Sequence, residues 1–379
     1  MHAAILAPRS WELLQACRAG RLEPEFFSHV LAARHWLGDA DDVRCLIVDH
    51  QIEGLESFLS WLRGHPRWMS IPVVALVEAP RTQTFVHVLA AGADDAVAHD
   101  DAIGLAQRIA AVARHEVKRP EAFKGQALVA HPDVGVRRLV GRYLRYAGFD
   151  PSFAVTDEEI VARASDCRLI VASVEGLDPL GVVRRLRGSA AGADTPVLWL
   201  TPEADAGPVR ALFAGCPGVG VSPQTAPSDN LLFRVNELLA GDAVNARDSR
   251  RLLVSTICAY RPAGARVPVH GLTYNLSRSG LYVRSLAPLA RGTDLWFELQ
   301  PSPEASWIHL RGEVVWARSP SDTAGVPCGF GVQIREAECS PRDLRIWLDA
   351  YTTLLEHDEA ELTAGRSTVP APFEMGAVG

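Results

Sequence analysis

Short apolar runs alternate with amphipathic stretches at the start of the chain. The runs span residues 3–7, 45–49 and 71–77. They are apolar almost throughout, which is typical of strands buried on both faces of a parallel sheet. Between them, apolar residues recur at helical spacing, as in 10–20 and 55–65, and residues 102–116 predict a closing helix. This alternation predicts one doubly wound α/β domain over residues 1–118.

The same pattern repeats after a predicted linker at 119–125. Apolar runs recur at 126–133, 167–176, 195–201 and 218–223. An amphipathic stretch at 134–149 follows the first of these runs, and another at 228–240 closes the series. The repetition predicts a tandem copy of the first fold over residues 126–242.

Turn-punctuated strand patterns dominate the last third of the chain. The candidate strands are 252–261, 267–277, 281–285, 294–300, 308–318 and 328–335. Six short strands at this spacing predict a small antiparallel barrel within residues 243–355. Residues 340–362 have the apolar spacing of a trailing helix, and 356–379 are predicted to hold the end of that helix and a disordered tail.

Composition and charge narrow the classes of function. The formal net charge of −7 argues against a general binder of nucleic-acid polymers, although arginines concentrate between 247 and 291. The seven cysteines form no Cys-x-x-Cys pair, which favours a reducing cytoplasm and predicts no metal site. Neither a signal peptide nor an apolar run of membrane-spanning length is evident, so a cytoplasmic protein without membrane insertion is expected.

Candidate anion ligands lie at the start of the predicted barrel. Arg247, Arg250 and Arg251 stand in the sequence RDSRR, and NLSRSG at 275–280 follows across a predicted strand. Guanidinium groups fork onto phosphate oxygens and onto guanine O6 and N7. Asn275 and Ser277 add small polar partners, and Gly280 is expected to take a positive φ that lets the backbone approach a ligand.

The conjunction of these two motifs with the six-strand pattern resembles the PilZ domain, a bacterial receptor for cyclic di-GMP. The resemblance covers about residues 247–355. It implies a six-stranded barrel in which Arg247, Arg250, Arg251, Asn275, Ser277 and Gly280 bind cyclic di-GMP, with no further cofactor. From the residues alone, a solvated arginine linker followed by a hairpin stays open.

Both α/β halves resemble the receiver domains of two-component response regulators. In the first half, LIVDHQ places Asp49 where a receiver has its phospho-accepting aspartate, and AAGADDAVAH resembles the stretch before the fifth strand. In the second half, TPVLWLTPEAD carries the similarity, and Ser173 stands at the acceptor position. The resemblance implies a flavodoxin-like fold for each half.

The departures from the receiver pattern argue against phosphorylation of Asp49. Ala7, Pro8 and Arg9 replace the acidic pair that holds a cation in receivers, and His99 replaces the conserved lysine. Phosphoryl transfer to aspartate depends on that metal and that positive charge. Asp49 is therefore interpreted as a structural relict rather than an acceptor. His99 and His131 are interpreted as ordinary polar residues with no second histidine and carboxylate nearby.

These patterns favour a non-enzymatic cyclic di-GMP effector in bacterial second-messenger signalling. Nucleotide binding at the barrel is expected to change domain geometry or contacts with a protein partner of the two pseudo-receivers, 1–118 and 126–242. Pairing into a homodimer through the last receiver helices is expected by analogy only. Two alternatives remain: a ligand-independent interaction scaffold, and a response regulator driven by phosphorylation of Asp49.

Overall fold

A computed structural model describes most of the chain, with side chains in the final helix described as far as His357. The described residues are 1–114, 123–189, 192–213, 215–241, 249–302, 304–320 and 326–364. They form two parallel sheets with flanking helices and one antiparallel barrel with a trailing helix. This arrangement confirms the predicted fold class. None of the helices in this part of the chain has the length and apolarity needed to cross a membrane.

The first parallel sheet has the strand order β2-β1-β3-β4-β5, which is the flavodoxin-like order. Its strands are β1 (His2–Leu6), β2 (Glu23–Phe26), β3 (Val43–Asp49), β4 (Val73–Val77) and β5 (Asp95–Ala98). Its helices are α1 (Trp11–Ala19), α2 (Val30–Asp39), α3 (Leu55–Gly64), α4 (Thr82–Ala91) and α5 (Ala102–Arg114). The central strands are mostly buried because helices cover both faces of the sheet.

The second parallel sheet repeats this order as β10-β9-β8-β6-β7. Its strands are β6 (Gly125–Ala130), β7 (Phe149–Ala154), β8 (Leu169–Ser173), β9 (Val197–Thr201) and β10 (Val219–Pro223). Its helices are α6 (Val134–Tyr146), α7 (Asp157–Arg163), α8 (Pro179–Arg187), α9 (Ala206–Leu212) and α10 (Ser228–Ala240), with 3-10 turns at Ala164–Asp166 and Glu203–Asp205. The shared order confirms the expected repetition of one fold.

The barrel closes through six antiparallel strands, in the order β13-β12-β15-β16-β17-β14 and back to β13. Its elements are β11 (Leu252–Leu253), β12 (Ile257–Pro262), β13 (Val269–Ser277), β14 (Gly280–Arg284), β15 (Asp294–Leu299), β16 (Ile308–Arg318), β17 (Gly329–Ile334), a 3-10 turn (Glu336–Glu338) and the helix α11 (Pro341–Ala364). The first predicted strand divides into β11 and β12. At the break, the Thr256 hydroxyl donates to the Gln300 carbonyl at 2.7 Å. A side-chain hydrogen bond therefore stands where a backbone hydrogen bond between strands would otherwise form.

The chain divides into two compact units, and one of them joins the first sheet with its helices to the barrel. Ile257 and Leu272 of the barrel belong to the same hydrophobic cluster as Leu59 and Phe85 of the first α/β domain. Leu286, just after β14, belongs to the cluster on the other face of the first sheet. These two modules therefore share a continuous apolar core, although a whole domain separates them in sequence.

Candidate functional site

The two sequence motifs meet at one end of the barrel. The short strand β11 pairs with β13 in antiparallel register, with Leu252 opposite Leu276 and Leu253 opposite Asn275. Continuing that register by one residue sets Arg251 opposite Ser277. The backbone N–H of Arg278 also donates to the Ser249 hydroxyl at 3.3 Å. Backbone pairing thus brings the arginine segment beside the NLSRSG hairpin.

The C-terminal helix holds both parts of this site in place. In α11, Tyr351 donates its hydroxyl hydrogen to the Arg250 carbonyl at 2.9 Å, and Trp347 donates its indole N–H to the Arg278 carbonyl at 2.8 Å. Both aromatic side chains are buried, and burial raises the pKa of Tyr351. The helix bonds to the backbone carbonyls of Arg250 and Arg278, and both residues are exposed to solvent.

The polar residues of the hairpin have different roles. Asn275 is only 6% exposed and lies beside a strand irregularity between Thr273 and Asn275. Ser277 is half-buried and donates its hydroxyl hydrogen to the Gly280 carbonyl at 3.1 Å, which closes the turn between β13 and β14. Arg250 and Arg251 are exposed beside them, whereas Arg247 lies outside the described residues. The site is thus a rigid polar hairpin next to exposed guanidinium groups.

Gly280 is required for a different reason from the one expected. Its φ is not positive, so the expected left-handed turn conformation is wrong. A Cβ atom at this position would instead lie 2.2 Å from the Val332 carbonyl oxygen of β17. Gly280 therefore allows β14 and β17 to approach each other at the closure of the barrel, directly beside Ser277.

Comparison with protein families places this site in a known module. Residues 245–347 match the family model described as PilZ domain. Residues 245–347 are a PilZ domain. None of the curated proteins compared with the chain matches it.

Solved structures each resemble about a third of the chain. The PilZ domain with c-di-GMP of YcgR from Escherichia coli is 16% identical, covers 32% of this chain and 98% of its own, and has a TM-score of 0.24. A sensor protein from Polaromonas sp. JS666 is 16% identical over 31% of this chain and 96% of its own, with a TM-score of 0.28. The N-terminal domain of a response regulator receiver protein from Methanoculleus marisnigri JR1 is 20% identical over 33% and 98%, with a TM-score of 0.22.

A buried ion pair connects the PilZ domain to the first pseudo-receiver. Arg108 of α5 donates its Nε–H to Asp95 Oδ2 at 2.7 Å, and the two side chains are 1% and 2% exposed. Each also bonds to the barrel backbone: Arg108 donates to the His270 carbonyl at 2.9 Å, and the Leu286 N–H donates to Asp95 at 2.7 Å. Burial alone lowers the pKa of Arg108, but Asp95, Tyr260 and Asp101 together outweigh burial, so the pKa is raised. The pair is therefore an ionic contact within a mostly apolar interface.

The carboxyl edge of the first parallel sheet contains a cluster that the sequence analysis missed. Asp49 Oδ2 lies 3.3 Å from His99 Nε2, and Asp49 Oδ1 lies 3.6 Å from His50 Nδ1. The expectation that His99 has no second histidine and carboxylate nearby is wrong. The signal was available, since His50 and His99 each directly follow a buried strand of one parallel sheet.

The corresponding region of the second pseudo-receiver is arranged differently. Ser173 is fully buried, and its hydroxyl accepts the Glu175 N–H at 3.0 Å. His131 Nδ1 accepts the Asp133 N–H at 2.9 Å, and its Nε2 lies 3.3 Å from Gln224 Oε1. These contacts agree with the interpretation of His131 as a structural polar residue.

Proposed function

We propose that the protein is a non-catalytic cyclic di-GMP effector whose PilZ domain binds the nucleotide. The observation that carries this proposal is the register that sets Arg251 opposite Ser277 inside a PilZ domain. The ligand-binding set comprises Arg247, Arg250, Arg251, Asn275, Ser277 and Gly280. A solved PilZ domain that contains c-di-GMP supports the ligand class.

The local electrostatics suit this ligand. Arg250, Arg251 and Arg278 lie exposed around the hairpin, although the whole chain carries a net charge of −7. Guanidinium groups bind phosphate oxygens and guanine edges through paired N–H donors and also stack on base faces. The site therefore suits a small dianionic guanine nucleotide.

The strand β13 offers a mechanical link between the ligand and the first pseudo-receiver. Its C-terminal end carries Asn275 and Ser277, and its N-terminal end carries His270, whose carbonyl accepts from Arg108. The strand has nine residues and therefore spans roughly 27 Å. At the first strand of the closed barrel, the Ile257 N–H also donates to the Thr82 hydroxyl of α4 at 3.0 Å. We infer that nucleotide binding changes the structure or dynamics of the first pseudo-receiver through these contacts.

This arrangement constrains where a partner can dock. The α4, β5 and α5 side of the first pseudo-receiver bonds to the barrel through Thr82, Asp95 and Arg108. Because the barrel already contacts α5, we propose that any pairing through a last receiver helix uses α10 of the second pseudo-receiver. Protein partners of the first pseudo-receiver are expected on its other faces.

Amide exchange of the full chain with and without cyclic di-GMP tests the link. We expect slower exchange at 249–253 and 275–280, where the nucleotide binds, and also at Leu286 and along α5, where the barrel meets the first pseudo-receiver. Protection confined to the motif segments would contradict the link while leaving the receptor function intact. Unchanged exchange at all four segments under saturating nucleotide would contradict both.

Phosphorylation is expected to have no effect on the first pseudo-receiver. Asp49 is surrounded by two imidazoles, and Ala7 and Pro8 stand where receivers hold their cation ligands. Incubation with beryllofluoride and Mg²⁺ should therefore leave the tryptophan fluorescence of the protein unchanged. A change that Asp49→Asn removes would instead support the phosphorylation-driven alternative.

A further inference from the structure

Three potential metal ligands converge at the carboxyl edge of the first parallel sheet. Asp49 ends β3, His50 follows it, and His99 follows β5. One carboxylate oxygen and one ring nitrogen from each histidine all lie within 4.8 Å of one another. No other group of three or more such residues has this property in the described part of the chain.

The backbone fixes the positions of these three side chains. The Asp49 carboxylate accepts the Gln51 N–H at 2.9 Å, which orients it toward the histidines. The His50 N–H and the His99 N–H donate to the carbonyls of Leu76 and Val77 in β4, each within 3.0 Å. His50 Nδ1 also lies 3.1 Å from the Leu76 carbonyl, a contact that a metal bound at Nδ1 would replace.

The ligand types favour a transition metal over Mg²⁺. Two imidazoles with one carboxylate match Zn²⁺, which takes three protein ligands and a water in open sites, whereas Mg²⁺ prefers oxygen ligands throughout. Zn²⁺ with ligands at about 2.0–2.1 Å brings neighbouring ligand atoms to about 3.3 Å from one another. The separation of 3.3 Å between Asp49 Oδ2 and His99 Nε2 matches this spacing, and His50 Nδ1 lies 3.6 Å from the other carboxylate oxygen, Oδ1.

The geometry points to a Zn²⁺ site formed by Asp49, His50 and His99, at the position where a receiver would be phosphorylated. The side chain of Asp49 is 11% exposed, that of His50 19% and that of His99 41%, so the ligands are ordered from the interior outward. This gradient leaves the His99 side open to solvent, where water completes the coordination. Occupancy of the site places the Asp49 carboxylate on the metal rather than on a phosphoryl group.

Calorimetric titration of the metal-free full chain with ZnCl₂ tests the site. We expect the parent protein to bind Zn²⁺ and excess Mg²⁺ not to compete. His99→Ala and His50→Ala should each weaken binding by at least about tenfold. Zn²⁺ should also raise the unfolding temperature of the parent but not of His99→Ala, because only the parent binds the ion in its folded state. Since His99 is largely exposed, this variant is expected to fold.

The matched control is His87→Ala. His87 Nε2 lies 3.2 Å from Glu56 Oε1 on the same domain, but this exposed pair has no third ligand. Its loss should leave Zn²⁺ affinity unchanged. Co²⁺ bound in place of Zn²⁺ should show no thiolate charge-transfer band, because no cysteine belongs to the site. Absence of Zn²⁺ binding by the parent, or equal affinity for the parent and His99→Ala, would overturn the proposal.

Discussion

Arg251→Ala is expected to weaken cyclic di-GMP binding by about ten- to a hundredfold. Arg251 is exposed, directly precedes β11, and is set opposite Ser277 by the register of β11 with β13. Losing one charge-assisted hydrogen-bonded pair costs about 1.5–3 kcal/mol, which corresponds to this change in Kd. Calorimetric titration of the purified variant measures it directly. The exposed side chain means that the fold should survive the substitution.

Two arginines serve as matched controls for this variant. Arg142 forms the same Arg-x-x-x-Arg spacing with Arg138, but on α6 of the second pseudo-receiver. Arg266 is an exposed arginine of the barrel itself, in the connection before β13 and therefore at the opposite end of that strand from Ser277. Alanine at either position should leave affinity unchanged. Equal affinities of Arg251→Ala and the parent would remove the basis for placing the ligand at this hairpin.

Arg108→Met is expected to lower the free energy of unfolding of the unit formed by the first pseudo-receiver and the barrel by about 3–5 kcal/mol. The substitution keeps most of the apolar stem but leaves the Asp95 carboxylate buried without its cation, which is the costly state of a broken buried ion pair. It also removes the donor to the His270 carbonyl. Amide exchange of β3 and β13 in increasing denaturant measures the change in both modules.

A second substitution separates charge from packing. Asp95→Asn, added to Arg108→Met, removes the uncompensated charge and keeps an oxygen that can accept the Leu286 N–H, so part of the lost stability should return. We also expect β3 and β13 to lose protection at the same denaturant concentration, because they share apolar clusters. A loss below about 1 kcal/mol for Arg108→Met, as for a surface pair, would contradict the account of this interface.

Patterning along the chain predicted the architecture well but missed two strands. Buried strands such as β3 and β4 are long apolar runs, and the closing helix α10 spans the predicted 228–240. The missed strands are β2, with the sequence EPEF, and β7, with FDPSFA. Both lie at a sheet edge, where one side lacks a neighbouring strand, so polar residues and a proline are tolerated there.

The proximity of the two motifs could be predicted from the sequence, but the packing role of Gly280 could not. The two motifs predicted that Arg251, Asn275 and Ser277 lie together, because a short strand and a hairpin follow from local pattern. The reason for Gly280 could not be predicted, since the atom that excludes a side chain belongs to Val332 of a distant strand. The nucleotide-binding roles of all six residues stay predictions: Arg247, Arg250, Arg251, Asn275, Ser277 and Gly280.

The interface between the barrel and the first α/β domain depends on contacts that have no local signature. Arg108 and His270 are distant in sequence, and Asp95 contacts Leu286 across an intervening domain. Nothing in the spacing of these residues indicates which module covers the face of α5. The Asp49 cluster could have been predicted from the sequence, because the carboxyl ends of β3 and β5 lie at one edge of a parallel sheet on either side of β4.

Titration of the full chain with cyclic di-GMP tests the central claim most directly. The account predicts saturable binding with a measurable heat, strongly weakened by Arg251→Ala and unchanged by Arg142→Ala. Such a result would establish the PilZ domain as a nucleotide receptor. The contacts of β13 with the first pseudo-receiver would then be the candidate path by which binding affects that domain. Absence of saturable binding by the parent protein would contradict the account and favour the ligand-independent scaffold.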